Sequence, residues 1–291
     1  MSFDTSIVLP AKNEAQSLET LLPRLREKFP EQEIIVVDDG STDNTVDVCK
    51  INNVRVITHN HSMGNGAAIK SGARGACGKT LVFMDADGQH KPKDILRLLE
   101  EMDNGYDMVV GARDSGSQAN IGRGIANGFY NWFSSKMTGQ DIKDLTSGFR
   151  AVKADMFREF LHLLPNGFSY PTTITMAFFR AGYLVSYIPI QANKRIGKSH
   201  LHLIKDGIRF LIIIFKVATL YSPLKIFVPT SAVFFMTGLG YYLYTYLTYE
   251  RFTNMSALMF TTAVLIFLIG LVSEQITLLT YKDTGRGDTR S

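Results

Sequence analysis

Cysteine is scarce: the 291 residues contain only Cys49 and Cys77. That excludes a disulfide framework and a cysteine-built metal cluster. Both fall in segments expected to be helical, so buried thiols in a reducing compartment are the expectation. The formal net charge is only +4, and no basic stripe interleaves with aromatics, so nucleic acid is not an expected partner. The start, Met1-Ser2-Phe3-Asp4-Thr5, lacks the basic residues and long apolar core of a secretory signal. Two phosphate-loop patterns are near misses. In Gly75-Ala76-Cys77-Gly78-Lys79-Thr80 the first required glycine falls on Ala73, and the segment precedes a strand instead of following one. Gly64-Asn65-Gly66 has Ile69 where a dinucleotide fingerprint needs its third glycine.

What the chain does have is acidic strand ends. Phe83-Met84-Asp85-Ala86-Asp87-Gly88-Gln89-His90 follows an apolar run, and alternation along an extended chain sends Asp85, Asp87 and Gln89 to one side. Oxygen donors of this kind suit Mg²⁺ or Mn²⁺, which keep positions open for water and phosphate oxygens. A solvated Asp-Gly turn is the plainer alternative. Ile34 to Val37 likewise runs into Asp38-Asp39-Gly40, and Thr42, Asp43 and Asn44 offer helix-cap oxygens. Ser6 to Leu9 runs into Pro10-Ala11-Lys12-Asn13-Glu14. In open α/β sheets, ligands bind outside the carboxyl ends of the strands.

The segments "LPAKNEAQSL", "IIVVDDGSTDNT", "GNGAAIKSGARGA", "FMDADGQH", "VVGARD" and "DLTSGFRAV" together resemble glycosyltransferase family 2 over roughly residues 4 to 200. Within it the chain is similar to the polyprenyl-phosphate glycosyltransferases, the group that includes dolichol-phosphate mannose synthase. The resemblance implies an α/β GT-A domain that binds a nucleotide sugar, with a divalent metal, Mg²⁺ or Mn²⁺, at Asp85, Asp87 and Gln89. It places Pro10, Ala11, Glu14, Asp38 and Asp39 around the nucleoside, with Asp85, Ala86, Asp87 and Arg113 completing the nucleotide-sugar site. Gly64 to Gly75 becomes a helix under that site with an exposed start. Nucleotide sugars are cytoplasmic, so the domain is expected there.

Organisation follows periodicity. Strand and helix alternate through the first 110 residues, with Leu18, Leu21, Leu22 and Leu25 marking one buried helical face, and a mostly parallel, Rossmann-like sheet is the expected core. Expected elements are Asp43 to Lys50, Val54 to Ile57, Met63 to Ala76, Leu81 to Met84, Pro92 to Met102 and Met108 to Val110. A helix over Ile121 to Met137 carries Phe129, Tyr130, Trp132 and Phe133, suited to domain packing or to lipid. Composition changes near residue 200. Leu201 to Tyr221 sets Lys205, Arg209 and Lys216 among apolar residues and reads as an amphipathic interface helix. Ile226 to Tyr249 and Phe252 to Ser273 contain no charged residue, and each is long enough to span a bilayer. The expected division is a catalytic domain over 1–200, an interface helix over 201–225, a two-helix hairpin over 226–281 and a tail over 282–291. Basic residues flank the hairpin, so both termini are expected in the cytoplasm. Homo-oligomerisation stays open.

The expected reaction moves one sugar from a UDP- or GDP-hexose to the phosphate of a membrane polyprenyl phosphate, undecaprenyl or dolichyl. Asp87, Arg113 and Arg195 are the expected catalytic residues, with a structural ion pair to one of the acids as the plainer alternative for Arg113. Ser147, Lys194, Arg195, Lys198 and His200 are expected at the acceptor phosphate. The family loop often reads Arg-x-x-Gly-x-Ser-Lys, whereas this chain has Lys194 and His200 at the end positions and an extra Arg195. A phosphate acceptor is already ionised at neutral pH and needs no general base, so Asp144 is not assigned that role. The alternatives are a processive polysaccharide synthase, which would need a Gln-x-x-Arg-Trp element absent here, and a catalytically silent membrane scaffold.

Overall fold

The computed structural model describes residues 4–113, 121–167, 169–191, 219 and 222–282. The chain forms two compact units divided between Ile213 and Ile214. The first is built on a seven-stranded sheet of order β3-β2-β1-β4-β6-β5-β7. Its strands are β1 (Thr5–Ala11), β2 (Glu33–Asp38), β3 (Arg55–Thr58), β4 (Thr80–Phe83), β5 (Met108–Arg113), β6 (Arg150–Lys153) and β7 (Val185–Ile190). The helices are α1 (Ala15–Lys28), α2 (Thr45–Ile51), α3 (Asn65–Gly75), α4 (Pro92–Asp103), α5 (Ile121–Thr138), α6 (Ala154–Glu159) and α7 (Tyr170–Ala181).

The expected alternation holds through β5. Leu18, Leu21, Leu22 and Leu25 are all buried on α1, each contributing about 1.5–3 kcal/mol of burial free energy. Continuous apolar runs such as Ile34 to Val37 form strands covered on both faces. β6 interrupts the parallel order, pairing antiparallel with both β4 and β5. It brings Arg150 opposite Phe83, so residues 144–149 enter the sheet where β4 ends.

Two expectations about 64–80 need correction. Cys77 is exposed and lies beyond the end of α3, while Cys49 is buried in α2. The stretch that imitates a phosphate loop serves the opposite end of the sheet. Gly78 N–H donates to Ser6 Oγ at 2.8 Å, and Cys77 N–H donates to the Glu33 carboxylate at 2.7 Å. Nor is the start of α3 exposed. The Ala67 amide donates to the Asn166 carbonyl at 3.0 Å, and Lys70 Nζ bonds the Leu164 carbonyl at 3.0 Å. A side chain at Gly66 would bring its Cβ to 2.0 Å from the Pro165 carbonyl oxygen. Gly66→Ala should therefore destabilise the protein by about 1–3 kcal/mol despite alanine's better helix propensity. Gly128 on α5 has nothing within 4 Å of a Cβ, and Gly128→Ala should gain up to about 1 kcal/mol. Denaturant midpoints of the two variants check the contrast.

The second unit contains α8 (Leu224–Tyr249) and α9 (Asn254–Lys282). Both are long and apolar enough to cross a membrane, with mean hydropathy 1.4 and 2.4 in their most apolar windows. α9 runs past the uncharged stretch to Glu274, whose carboxylate accepts weakly from Ser222 Oγ and Leu224 N–H, both at 3.4 Å. The expected interface helix over 201–221 and the tail over 283–291 lie outside the described residues.

Candidate active site

β1, β2 and β4 run parallel, and β5 runs the same way because both it and β4 oppose β6. One sheet edge therefore collects Pro10 and Ala11 from β1, Asp38 from β2, the residues after Phe83, Arg113 from β5, and the entry to β6.

On the nucleoside side, the loops after β1 and β2 are tied together. Asn13 N–H donates to Ser41 Oγ at 2.9 Å, Glu14 N–H to Thr45 Oγ1 at 3.1 Å, and Ala15 N–H to Asp43 Oδ2 at 3.1 Å. Asp43 also accepts from Thr45 N–H at 3.0 Å. Its carboxylate thus caps the first residues of two helices, α1 and α2. Pro10 and Glu14 are half-buried and Ala11 is buried. Asp38 is buried and accepts from Ser41 N–H at 3.0 Å.

Asp39 is a structural hub. Its carboxylate pairs with His59 Nδ1 at 2.8 Å and accepts from Ser62 Oγ at 2.7 Å, Met63 N–H at 2.8 Å and Gly64 N–H at 2.9 Å. Gly40 enables this at φ +71°, where a Cβ would sit 3.0 Å from the backbone of His61 and Ser62. Burial pushes the Asp39 carboxyl up, but the bonds from His59, Met63, Ser62 and Gly64 more than reverse it, to about 2. A depressed folded value stabilises above the unfolded pKa of 3.8, and that contribution is lost as pH falls through about 2. Wild type should lose about 1–2 kcal/mol more than Asp39→Asn over that acid window, allowing for screening near the surface. Denaturant titrations at a series of acid pH values check it.

On the phosphate side, the chain after β4 does not stay extended. Met84 and Asp85 continue it, Ala86 and Asp87 turn, and Gly88 has φ +73°. Gln89 N–H folds back onto Asp87 Oδ1 at 3.1 Å, so strand alternation is not what relates Asp85, Asp87 and Gln89. Asp85 still stays at this edge, and the Asp87 charge is felt at His90 together with those of Arg113 and Asp144. A Cβ on Gly148 would lie 3.5 and 3.6 Å from the Asp85 oxygens, and the Asp85 charge is felt at Arg113. Among the described residues no three His, Cys, Asp or Glu side chains converge as a ligand set.

Arg113 is gripped by Asp144. Nε donates to Oδ2 at 2.9 Å and Nη2 to Oδ1 at 3.2 Å, while Nη2 also reaches Thr146 Oγ1 at 2.7 Å. Among the described residues Nη1 carries no hydrogen bond. Burial lowers the guanidinium's affinity for its proton, and Asp144 more than restores it. Burial raises the Asp144 carboxyl, and Arg113 brings it below the ordinary range. Ser147 is buried, its Oγ donating to the Gly111 carbonyl at 2.7 Å. Lys194, Arg195, Lys198 and His200 lie outside the described residues.

Three contributors escaped sequence reasoning. His90 stacks on Phe149 with ring centroids 4.6 Å apart and planes 10° from parallel, and burial lowers its pKa to about 4. Thr146 shares the grip on Arg113. Arg150 is fully buried and donates to the carbonyls of Ser147 and Pro171 and to Thr175 Oγ1, fixing the turn beside Asp85. Only its position in "DLTSGFRAV" hinted at it.

This sheet, with acidic residues and a clamped arginine at the strand ends and an apolar helical hairpin beyond, defines a glycosyltransferase of GT-A type. The chain belongs to Glycosyl transferase family 2, which it matches over residues 6–162; residues 222–279 match the GtrB C-terminal hairpin. It is 30% identical over 209 residues to an undecaprenyl-phosphate mannosyltransferase of Micrococcus luteus, covering 67% of this chain and 86% of that one. It is 29% identical over 208 residues to a polyprenol monophosphomannose synthase of Mycolicibacterium smegmatis, covering 66% and 78%. The fold is similar to glucosyl-3-phosphoglycerate synthase of Mycobacterium tuberculosis, solved with Mn²⁺, UDP and glucosyl-3-phosphoglycerate, at a TM-score of 0.58 and 19% identity over 75% of this chain and 78% of that one.

Proposed function

We propose that the protein transfers a single sugar from a nucleotide sugar, a UDP- or GDP-hexose, to the phosphate of a membrane polyprenyl phosphate. The observation that carries this reading is Arg113, held by Asp144 on the same sheet edge as Asp85 and Asp87, in a chain with two helices fit to cross a membrane. The names of the mannosyltransferase and synthase relatives support the acceptor class.

The donor types in this motif, two carboxylates and the Gln89 carboxamide, fit Mg²⁺ or Mn²⁺. When bound, such a cation would neutralise charge growing on the leaving nucleoside diphosphate. Asp85, Asp87 and Gln89 would hold it, with remaining positions left to water and diphosphate oxygens. Asp144 aims Arg113 so that the remaining edge of the guanidinium can donate to a phosphate oxygen. Pro10, Ala11, Glu14, Asp38 and Asp39 frame the nucleoside, Asp39 by ordering residues 59–64. Ser147 shapes the acceptor loop, and Lys194, Arg195, Lys198 and His200 supply its cations. The basic residues that flank the hairpin support a cytoplasmic position for both termini.

Asp144 is spent on Arg113 and is not available as a base. The acceptor does not need one, since a phosphate monoester loses its second proton at about pH 6. Transfer should therefore vary little between about pH 7 and 8.5. A profile demanding a group that titrates near 8 would contradict base-free attack. Membranes containing the overproduced protein, given a panel of labelled nucleotide sugars with polyprenyl phosphate, should yield one extractable labelled lipid. Label that appears only in a growing polysaccharide, or no labelled product from any donor, would overturn the reading.

A further inference from the structure

Lys12 is a cation that the catalytic reading leaves unused, although it stands in the turn that carries Pro10, Ala11 and Glu14. Its Nζ donates to Ser62 Oγ at 3.0 Å, and among the described residues that is its one hydrogen bond. An ammonium has three donors and accepts nothing, so two remain. The chain around it fixes where it reaches. Asn13 lies in the left-handed region at φ +56°, held there by its N–H on Ser41 Oγ at 2.9 Å and by Thr42 N–H on its Oδ1 at 2.8 Å. Ser62 is itself anchored on the Asp39 carboxylate at 2.7 Å.

Sheet order decides which part of a nucleotide would lie there. Ser62 belongs to the segment between β3 and α3, whereas Asp85 and Asp87 follow β4, and the order β3-β2-β1-β4 sets these on opposite sides of β1. Lys12 therefore reaches away from the phosphate side and toward the nucleoside side. Asp38 stands there too, paired in register with Ala11 and only 1% exposed. Among the described residues its carboxylate accepts one hydrogen bond, from Ser41 N–H at Oδ1. The ends of β1 and β2 thus offer a carboxylate, which only accepts, together with an ammonium, which only donates. That combination suits one kind of nucleobase edge. Uracil and guanine present a ring N–H beside a carbonyl oxygen, whereas cytosine and adenine present a bare ring nitrogen beside an amino group.

We propose that Lys12 selects the nucleobase of the donor, donating to the carbonyl oxygen of an oxo base, uracil or guanine, and disfavouring the amino group of cytosine or adenine. The proposal rests on the nucleotide-sugar reading above and deepens it by assigning the choice of base to a residue. Against an amino base the ammonium would face a group that also donates, and its hydrogen bond would be lost. Lys12 is exposed, so water softens that penalty, and a preference of roughly 10-fold is expected.

Nucleoside diphosphates give the test, because members of each pair share ribose and diphosphate. The full-length protein in detergent micelles is titrated calorimetrically with UDP, CDP, GDP and ADP in the presence of Mg²⁺. Wild type should bind UDP about 10-fold more tightly than CDP, or GDP than ADP. Lys12→Met keeps the apolar stem without a donor and should bring that ratio near unity by weakening the oxo-base nucleotide. Lys12→Arg keeps a donor and should keep the preference. Equal binding within both pairs by wild type would overturn the proposal. So would a Lys12→Met variant that loses both members of a pair alike, the mark of a contact with the shared ribose or diphosphate. A Lys12→Met variant that binds both like wild type would show a merely solvated lysine and overturn it too. The transferase reading is tested apart. Discrimination that depends on Lys12, with no labelled lipid from any donor, would leave this proposal standing and remove that reading. Transfer to lipid with an unchanged ratio in Lys12→Met would do the reverse, and failure to bind any of the four nucleotides would overturn both.

Discussion

Asp87→Asn should reduce transfer by roughly 100- to 1000-fold without unfolding the protein. Asparagine keeps the volume and retains an Oδ1 to accept from Gln89 N–H, the bond that closes the turn at 3.1 Å. What it removes is one negative charge where a divalent cation would bind. The variant should therefore melt like wild type without added metal, yet lose most of the thermal stabilisation that Mg²⁺ or Mn²⁺ with nucleoside diphosphate gives the wild type. Those two readouts separate loss of the metal site from loss of the fold. Near-wild-type transfer at saturating Mg²⁺ or Mn²⁺ would falsify the metal assignment and leave Arg113 as the main stabiliser of the departing diphosphate.

The donor half of the fold was legible because its elements are locally encoded. The leucines of α1 repeat with helical period, and the apolar runs of β1, β2 and β4 are buried on both faces. The acceptor half was not. β6 is four residues long, with an arginine and a lysine at its ends, and owes its strand geometry to β4 and β5 on either side. β7 contains Pro189, a residue that argues against a strand in sequence but is tolerated at the sheet border. α7 opens with Tyr-Pro-Thr-Thr-Ile-Thr, poor helix formers that are nonetheless buried by tertiary packing. β5 outran its apolar core through Gly111-Ala112-Arg113 because β7 pairs with it along that length.

The site divided in the same way. Oxygen-rich strand ends identified the edge, but not which oxygens were already committed there. Asp39 looked like a ligand contact and is occupied by four bonds to the 59–64 segment. Asp85, Asp87 and Gln89 looked like one face of a strand, yet Gly88 lets the chain turn within the motif. The start of α3 looked open until residues 164–167, about a hundred positions away, covered it. Each difference is a long-range contact, and strand or helix periodicity carries no information about those.

The Arg113–Asp144 pair gives the last expected result. Asp144→Asn should lower transfer about 10- to 100-fold, because the guanidinium loses the charged partner that aims it, and misplacement of about 1 Å can cost that much. Arg113→Met should cost more, roughly 100- to 1000-fold, by removing the donor itself. That single variant also strands the Asp144 carboxylate, which is 7% exposed, although Thr146 N–H and Oγ1 still donate to it at 3.1 and 3.0 Å. An unpaired buried charge can cost about 3–5 kcal/mol of stability, so the Arg113→Met, Asp144→Asn double variant should be more stable than Arg113→Met alone. In kinetics the double variant should be no slower than Arg113→Met, since Asp144 acts through the arginine. Losses that multiply instead would show that Asp144 has a second task, touching the acceptor directly. The KM for the polyprenyl phosphate in the Asp144→Asn variant would then rise while that for the nucleotide sugar stayed unchanged.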